Sequence, residues 1–452
     1  MRSNRLDVVV WSFSALLLLA TFSVILLGDK VGVSILRALP TSGSQAAASA
    51  PIVIEFAQGM NTEEVEAAFG ISPLVPGRFI WRQNTLFFLP SKAWESGVAY
   101  TVRLQTGVED QLGHHLLDDL IWTFTVRDPG LVFMRGQRGT FDLWVLRDMF
   151  EPPLQLTRVE STVFDFSVSV DGEQIVYSVI NEQNGIDLWA VSRTGGDAEI
   201  LVGCGPDRCS APAWSVDGRI AYTRVQAPLT QADPYGAPRI WFLDPQTRED
   251  IRLYSDVQKI GYGPSWSPDG QRLAYYDGVQ SRIVVLDLRN GEEIYVSSNV
   301  GEIGTWTPDG RHLVYYNVQV REQVAVNSLF RVDFGSQDVL PFFDSRSTET
   351  NFSSPVVSPD GAWVAMKVRQ LDAAPGDEVW VTPQDGRYAL VVTAEPNYLV
   401  SNVNWDPWSR RLVFYRVPLG VANPESEVWL WDMETMQAQL VVYDAVVPTW
   451  LP

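Results

Sequence analysis

The chain has 452 residues, and at roughly 100–200 residues per domain that length points to about three domains rather than one. Apolar types make up 46% and charged types only 19%, so there is material for a core; 33 Gly and 28 Pro lie near background and exclude collagen-like and Pro-rich spacer classes. With 34 Lys and Arg against 54 Asp and Glu, the net charge of −20 repels phosphate backbones, which argues against a nucleic-acid role, and three His and two Cys leave little for zinc or histidine chemistry.

Residues 8–27, VVVWSFSALLLLATFSVILL, carry no charge. At about 1.5 Å per residue, a helix of that length spans ~30 Å, the thickness of a hydrocarbon core. Arg2 and Arg5 precede it and place the N-terminus in the cytoplasm, although Lys30 and Arg37 follow. The competing reading is a cleaved signal peptide, whose apolar core is usually about 7–15 residues with a small-residue site close behind. Here Gly28-Asp29-Lys30 follows, and the first small-residue patch is Ala46 to Ala50. The expectation is a single-pass anchor within 1–30, with the bulk outside the cytoplasm, periplasmic or at the cell surface. Residues 31–50 hold few large apolar groups and read as a flexible tether.

From 51 to 128 the chain alternates like a half-buried sheet. Five strands are predicted around Ile52–Phe56, Arg78–Trp81, Thr85–Leu89, Tyr100–Leu104 and Trp122–Val126, a rhythm that fits a β-sandwich. The segment also resembles the bacterial Ig-like domain of S-layer proteins (SbsA Ig-like type). The resemblance rests on Phe56, Met60-Asn61, Val65, Ala68-Phe69, Phe79-x-Trp81, Leu86-x-Phe88-x-Pro90, Gly97-x-x-Tyr100-x-Val102, Gly107-Val108-x-Asp110, Gly113 and Trp122-x-Phe124-x-Val126. It implies a spacer or adhesive module. His114 and His115 are adjacent in a loop, where their side chains diverge, so a solvated loop is expected rather than a metal site.

Residues 129–452 repeat in two registers, at spacings that indicate a propeller or array. A turn register runs Val168-Ser169-Val170-Asp171-Gly172, Trp214 to Gly218, Trp266-Ser267-Pro268-Asp269-Gly270, Trp306 to Gly310, Val357 to Gly361 and a degenerate Trp405-Asp406-Pro407-Trp408-Ser409. Pro presets one turn dihedral, Asp bonds back to local backbone and Gly takes the left-handed region, a device for joining antiparallel strands. A strand register recurs near Leu143, Leu188, Ile240, Ile283, Leu329, Val379 and Val428, seven copies against six turns. The first strand copy has no turn before it, and Val447-Pro448-Thr449-Trp450 opens a turn that is never finished. Ring closure resolves the mismatch: the C-terminal strand completes the blade begun at Leu131, giving seven blades. The fold class expected is therefore all-β: a transmembrane helix, an Ig-like sandwich over 51–128, and a seven-bladed β-propeller over 129–452 closed by the C-terminal strand. The turns resemble the repeats of TolB-like propellers, most clearly at Asp269, Asp309 and Asp360. Six blades are usual in TolB itself, so seven departs from that relative.

Most of the 17 Trp fall in these registers and read as packing between blades; Trp363 and Trp408 lie outside them and are the candidate exposed aromatics. The repeated Asp residues occur once per blade, unlike a calcium loop. Cys204 and Cys209 flank Gly205-Pro206-Asp207-Arg208 and are expected to form a disulfide between two blades. No Gly-x-Ser-x-Gly elbow, Walker loop or dinucleotide fingerprint occurs; His312 at a strand start and the adjacent Glu292-Glu293 read as structural or solvated. No catalytic residue, cofactor or metal site is expected. The leading expectation is a membrane-anchored, extracytoplasmic, non-enzymatic scaffold: the Ig-like module lifts a propeller that meets a protein or cell-envelope partner. Long insertions at 226–237, 319–327, 370–377 and 418–426 should emerge on one rim. The alternative is a ligand-binding or catalytic site in the central channel, which requires unpaired carboxylates converging at its mouth.

Overall fold

The computed structural model describes residues 11, 13–19, 21–22, 32–137, 139–149, 151–230, 232–343 and 348–452. Of the expected membrane span, the positions within this set are helical and exposed, and the rest of 8–27 lies outside the described residues. Among the described residues no helix is long and apolar enough to cross a membrane.

The sandwich begins earlier than its alternating pattern does. One sheet has the order Ile35–Leu39, Ile52–Phe56, Thr85–Pro90, Gly77–Arg82; the other runs Gln45–Ala46, Leu120–Val126, Ala99–Leu104, Phe69–Ser72, with a short helix over Thr62–Ala68. The flexible tether expected over 31–50 is corrected from Val33 onward. Ile35–Leu39 pairs with Ile52–Phe56, and Ala47 and Ala48 are fully buried. The alanines are small because Trp94 lies against them: its backbone N–H donates to Ala48 O and its Nε1 to Ala50 O, both at 2.8 Å. A run of small residues reads as a linker only until a large ring is known to fill the space beside it.

Among the described residues, 130–452 fold into seven four-stranded antiparallel sheets in chain order. The first sheet is Leu154–Gln155, Thr140–Leu146, Gly130–Gln137 and, from the far end of the chain, Ala445–Leu451. Thr449 pairs with Val132 and Trp450 with Leu131, so the last strand covers the inner edge of Gly130–Gln137. The second and third sheets share one parallel pairing, Ile186 with Arg208, and the Cys204–Cys209 disulfide closes the connection that makes it. First strands of most neighbouring sheets pack on one another, which puts them innermost. The indoles of the turn register tie the sheets in sequence: Trp266 Nε1 donates to Ala213 O, Trp306 to Ser265 Oγ, Trp405 to Val356 O and Trp450 to Asn404 O, each reaching the sheet before its own. Apolar clusters fill each gap, such as Phe133, Val413, Val428 and Trp450 between the seventh sheet and the first.

Candidate interaction face

Strand alternation gives the ring two faces. First strands of the second to sixth sheets run into an Asp-Gly turn, and that of the seventh into the degenerate 406–409 turn, so first–second and third–fourth connections share one face; second–third connections and links to the next sheet share the other. On the turn face the repeated motif forms a self-contained knot. Ser267 Oγ donates to Asp269 Oδ1 at 2.5 Å and accepts Arg272 N–H at 2.9 Å, while Asp269 Oδ1 also accepts Gln271 N–H at 3.1 Å. Ser169 with Asp171, Thr307 with Asp309 and Ser358 with Asp360 repeat this bonding. These carboxylates hold backbone, and among the described residues no group of three or more His, Cys, Asp or Glu is placed to hold a metal.

The turn face is occupied by the Ig-like module. Val53, Phe87 and Leu89, on the outer face of one of its sheets, bury themselves with Val216 from the third sheet's turn. Arg78 Nη1 lies 3.7 Å from Asp269 Oδ2 and donates to Asp309 O; Arg82 lies 3.4 Å from Asp217 Oδ2 and 3.9 Å from Asp244 Oδ2. Arg127 donates to Gln45 O, to Asp171 O, to Glu173 and to Pro452 O, joining the sandwich to the second sheet and to the closing strand. Gly172 sits under that junction at φ +67, where a Cβ would meet Pro452 O at 2.2 Å, so both conformation and space demand glycine. A cleft of about 940 Å³ remains along the seam, with Arg37, Arg147 and Arg193 on its walls beside Asp171, Glu173 and Glu199. The expected lifting spacer is thus corrected: the module lies flat on the turn face, because its sheet offers apolar side chains outward and its arginines meet the turn carboxylates.

Trp408 and Trp363 are both corrected from exposed to half-buried. Trp408 packs on the sandwich core, and its Nε1 donates to Trp94 O at 2.9 Å. That contact explains the degenerate turn. Asp406 replaces Ser, accepting Arg410 N–H at 2.7 Å and Arg411 N–H at 3.0 Å, and Ser409 takes the glycine position at φ 60, which frees Trp408 to leave the ring. Trp363 packs within the sixth and seventh sheets and meets Tyr388 edge-on. The motif's break at 406–409 was the one sequence signal for this seam, and it was legible only as degeneracy.

The histidine pair does not converge: His114 Nδ1 bonds Asp110 Oδ2 at 2.8 Å, and His115 faces Glu109. Burial alone would raise the Asp110 carboxyl, but the His114 N–H and ring, the Leu112 N–H and Gln58 outweigh it and hold the pKa at about 2. His312 bonds Asp333 at 3.0 Å. Glu293 is not the solvated group expected: it accepts Tyr254 Oη at 2.7 Å and Lys259 Nζ at 2.5 Å.

The opposite face is open. At the second–third ends of the third to seventh sheets an aliphatic residue is bare, Leu229, Val279, Leu371 and Val421 in the connections and Val320 near the end of strand His312–Arg321, between 45% and 98% exposed. Three of the four expected insertions are loops there. The fourth, 319–327, is instead the tip of a long hairpin, with strands His312–Arg321 and Val324–Asp333 turning at Glu322 and Gln323, both at positive φ. The seven innermost strands hold only two charged residues, Asp165 and Arg208. Asp165 accepts Ser178 Oγ and, at 2.7 Å, Ala211 N–H, yet burial raises its pKa. Arg208 lies over the Tyr235 ring at 4.0 Å. Unpaired carboxylates do not converge on these strands.

Residues 29–126 match the family described as bacterial Ig-like domain (Big_5). No curated protein matches the chain. Among solved structures it is similar to TolB from Acinetobacter baumannii, at 12% identity over 93% of this chain and 99% of that one, with a TM-score of 0.44. A putative TolB from Agrobacterium tumefaciens shares 19% identity over 55% of this chain and 84% of that one, TM-score 0.40. A puromycin-hydrolysing peptidase of Mycobacterium tuberculosis shares 12% identity over 77% of this chain and 52% of its own, TM-score 0.52. At 12% identity that last likeness shows a shared fold and says nothing of activity.

Proposed function

We propose that this chain is a membrane-anchored, extracytoplasmic, non-enzymatic scaffold: a seven-bladed propeller, closed by its C-terminal strand, whose open face binds a protein or cell-envelope partner. The observation that carries the reading is the asymmetry of the two faces. One is covered by the chain's own Ig-like module, while the other shows bare aliphatics at the second–third ends of five successive sheets. Scattered single apolar residues need no explanation, but a recurring set on one face is the usual mark of an interaction surface. The near absence of charge on the innermost strands supports binding over acid–base or metal chemistry in the channel.

The test is site-specific photo-crosslinking in the native envelope. A photoreactive residue at Val279, Val320 or Val421 is expected to give the same discrete adduct, and one at the exposed Tyr388, in a third–fourth connection on the turn side, none. Adducts of equal yield at all four positions, or none at the open face, would overturn the reading.

A further inference from the structure

The loop at 107–117 of the Ig-like module is built to present leucine to its surroundings at the point where the chain leaves the sandwich toward its apolar N-terminal run. Val33 N–H donates to His115 O at 3.0 Å, and Gly32 lies so close to the loop that a Cβ there would meet Leu117 Cγ at 2.7 Å. Only residues 28–31 separate this exit from Leu27. Whatever conformation they take, five residue steps span at most ~18 Å of extended chain. The folding of 33–50 into the sandwich is what makes the leash this short.

Leu112 is 79% exposed and Leu117 60% exposed, and Leu36, in the bulge of the strand Ile35–Leu39 that follows the exit, is exposed as well. The loop is not slack. Asp110 Oδ1 accepts the N–H of Leu112 and of His114, each at 2.8 Å, Gln111 N–H donates to Gly59 O and Gly107 N–H to Leu116 O. A turn tied down at this many points, with a bare leucine at its tip, presents that side chain at no further ordering cost.

We infer that the 107–117 loop rests on the outer surface of the membrane that holds residues 8–27, with Leu112 and Leu117 in the boundary between headgroups and acyl chains. The inference depends on the anchor reading above and deepens it by naming a second, lipid-facing contact. The short leash selects lipid as the occupant, since a bilayer is the one surface guaranteed within its reach. Half-buried Glu109 and exposed Asp118 flank the leucines, so the contact is apolar rather than electrostatic. It needs no anionic lipid and is insensitive to salt.

The test uses the full chain reconstituted into phosphatidylcholine vesicles, with a polarity-sensitive dye on Leu112→Cys and, separately, on Val421→Cys; the native cysteines are joined in a disulfide and do not label. The dye at 112 is expected to be blue-shifted and quenched several-fold more by lipid-borne nitroxide than the dye at 421, equally at low and high salt. A chain that floats with the vesicles but shows equal quenching at the two sites overturns this inference and leaves the anchor standing. A chain that fails to float overturns both.

Discussion

Trp408 shows how one substitution within a repeat can redirect a whole element. Its ring leaves the propeller, packs on the sandwich core and donates to Trp94 O. Truncating a half-buried indole costs on the order of 2–3 kcal/mol, below the range for full burial. Trp408→Ala is therefore expected to split thermal unfolding into separate sandwich and propeller transitions, checked by calorimetry; a single transition at the unaltered temperature would count against the seam. Asp110 is the second informative residue. Its folded pKa of about 2 lies below the unfolded value of about 4, so its stabilisation is fully present above pH 4 and is lost as pH falls toward 2. Asp110→Asn should be less stable than the parent at pH 7, and the difference should shrink between pH 4 and pH 2, as read from urea midpoints.

At the scale of elements, the decisive strand is Ala445–Leu451. Without it the Gly130–Gln137 strand has an unpaired edge, and Leu131, Phe133 and Val413 lose Trp450 as a packing partner. Deletion of 445–452 is expected to yield a chain that aggregates or is cut rapidly by protease in the first and seventh sheets; wild-type protease resistance would show that the ring does not depend on closure. The seven sheets and this pairing were legible in advance because turn and strand chemistry is local: Asp, Gly and Pro mark the first hairpin of most sheets wherever it occurs. Ile35–Leu39 and the buried Ala47 and Ala48 were not legible. The strand's apolar residues fall at 35, 36, 38 and 39, without alternation, and small residues declare burial only beside the Trp94 ring that covers them. The extended hairpin at 312–333 was missed because Gln319 to Asn327 read as an inserted loop, although Val318, Val320, Val324 and Val326 alternate through it and Asn327 N–H donates to Asn351 Oδ1 of the next sheet.

For the whole molecule, the docking of sandwich on propeller decides which surface is free. Arg78 and Arg82 are each over a third exposed, so their ion pairs contribute only about 0–1 kcal/mol apiece, and the buried Val53, Phe87 and Val216 contribute more. Reversing both charges, Arg78→Glu with Arg82→Glu, sets like charges against Asp217, Asp244 and Asp269. The expected result is a larger radius of gyration by small-angle scattering at low salt, restored as salt screens the repulsion. No change at low salt would show that the apolar contact alone holds the module down.

The amino-acid sequence by itself determined the all-β class, the repeat, the return of the last strand to the first sheet and the disulfide pair, since each follows from residues near one another or from counting copies. Tertiary structure alone decided that the module lies flat on the turn face, that Trp408 is an anchor for it rather than an exposed ring, and that 33–50 is folded. Those outcomes depend on side chains meeting across the chain, Trp94 with Trp408 and Arg127 with Pro452. No local pattern encodes a contact whose two halves are each ordinary in their own neighbourhood.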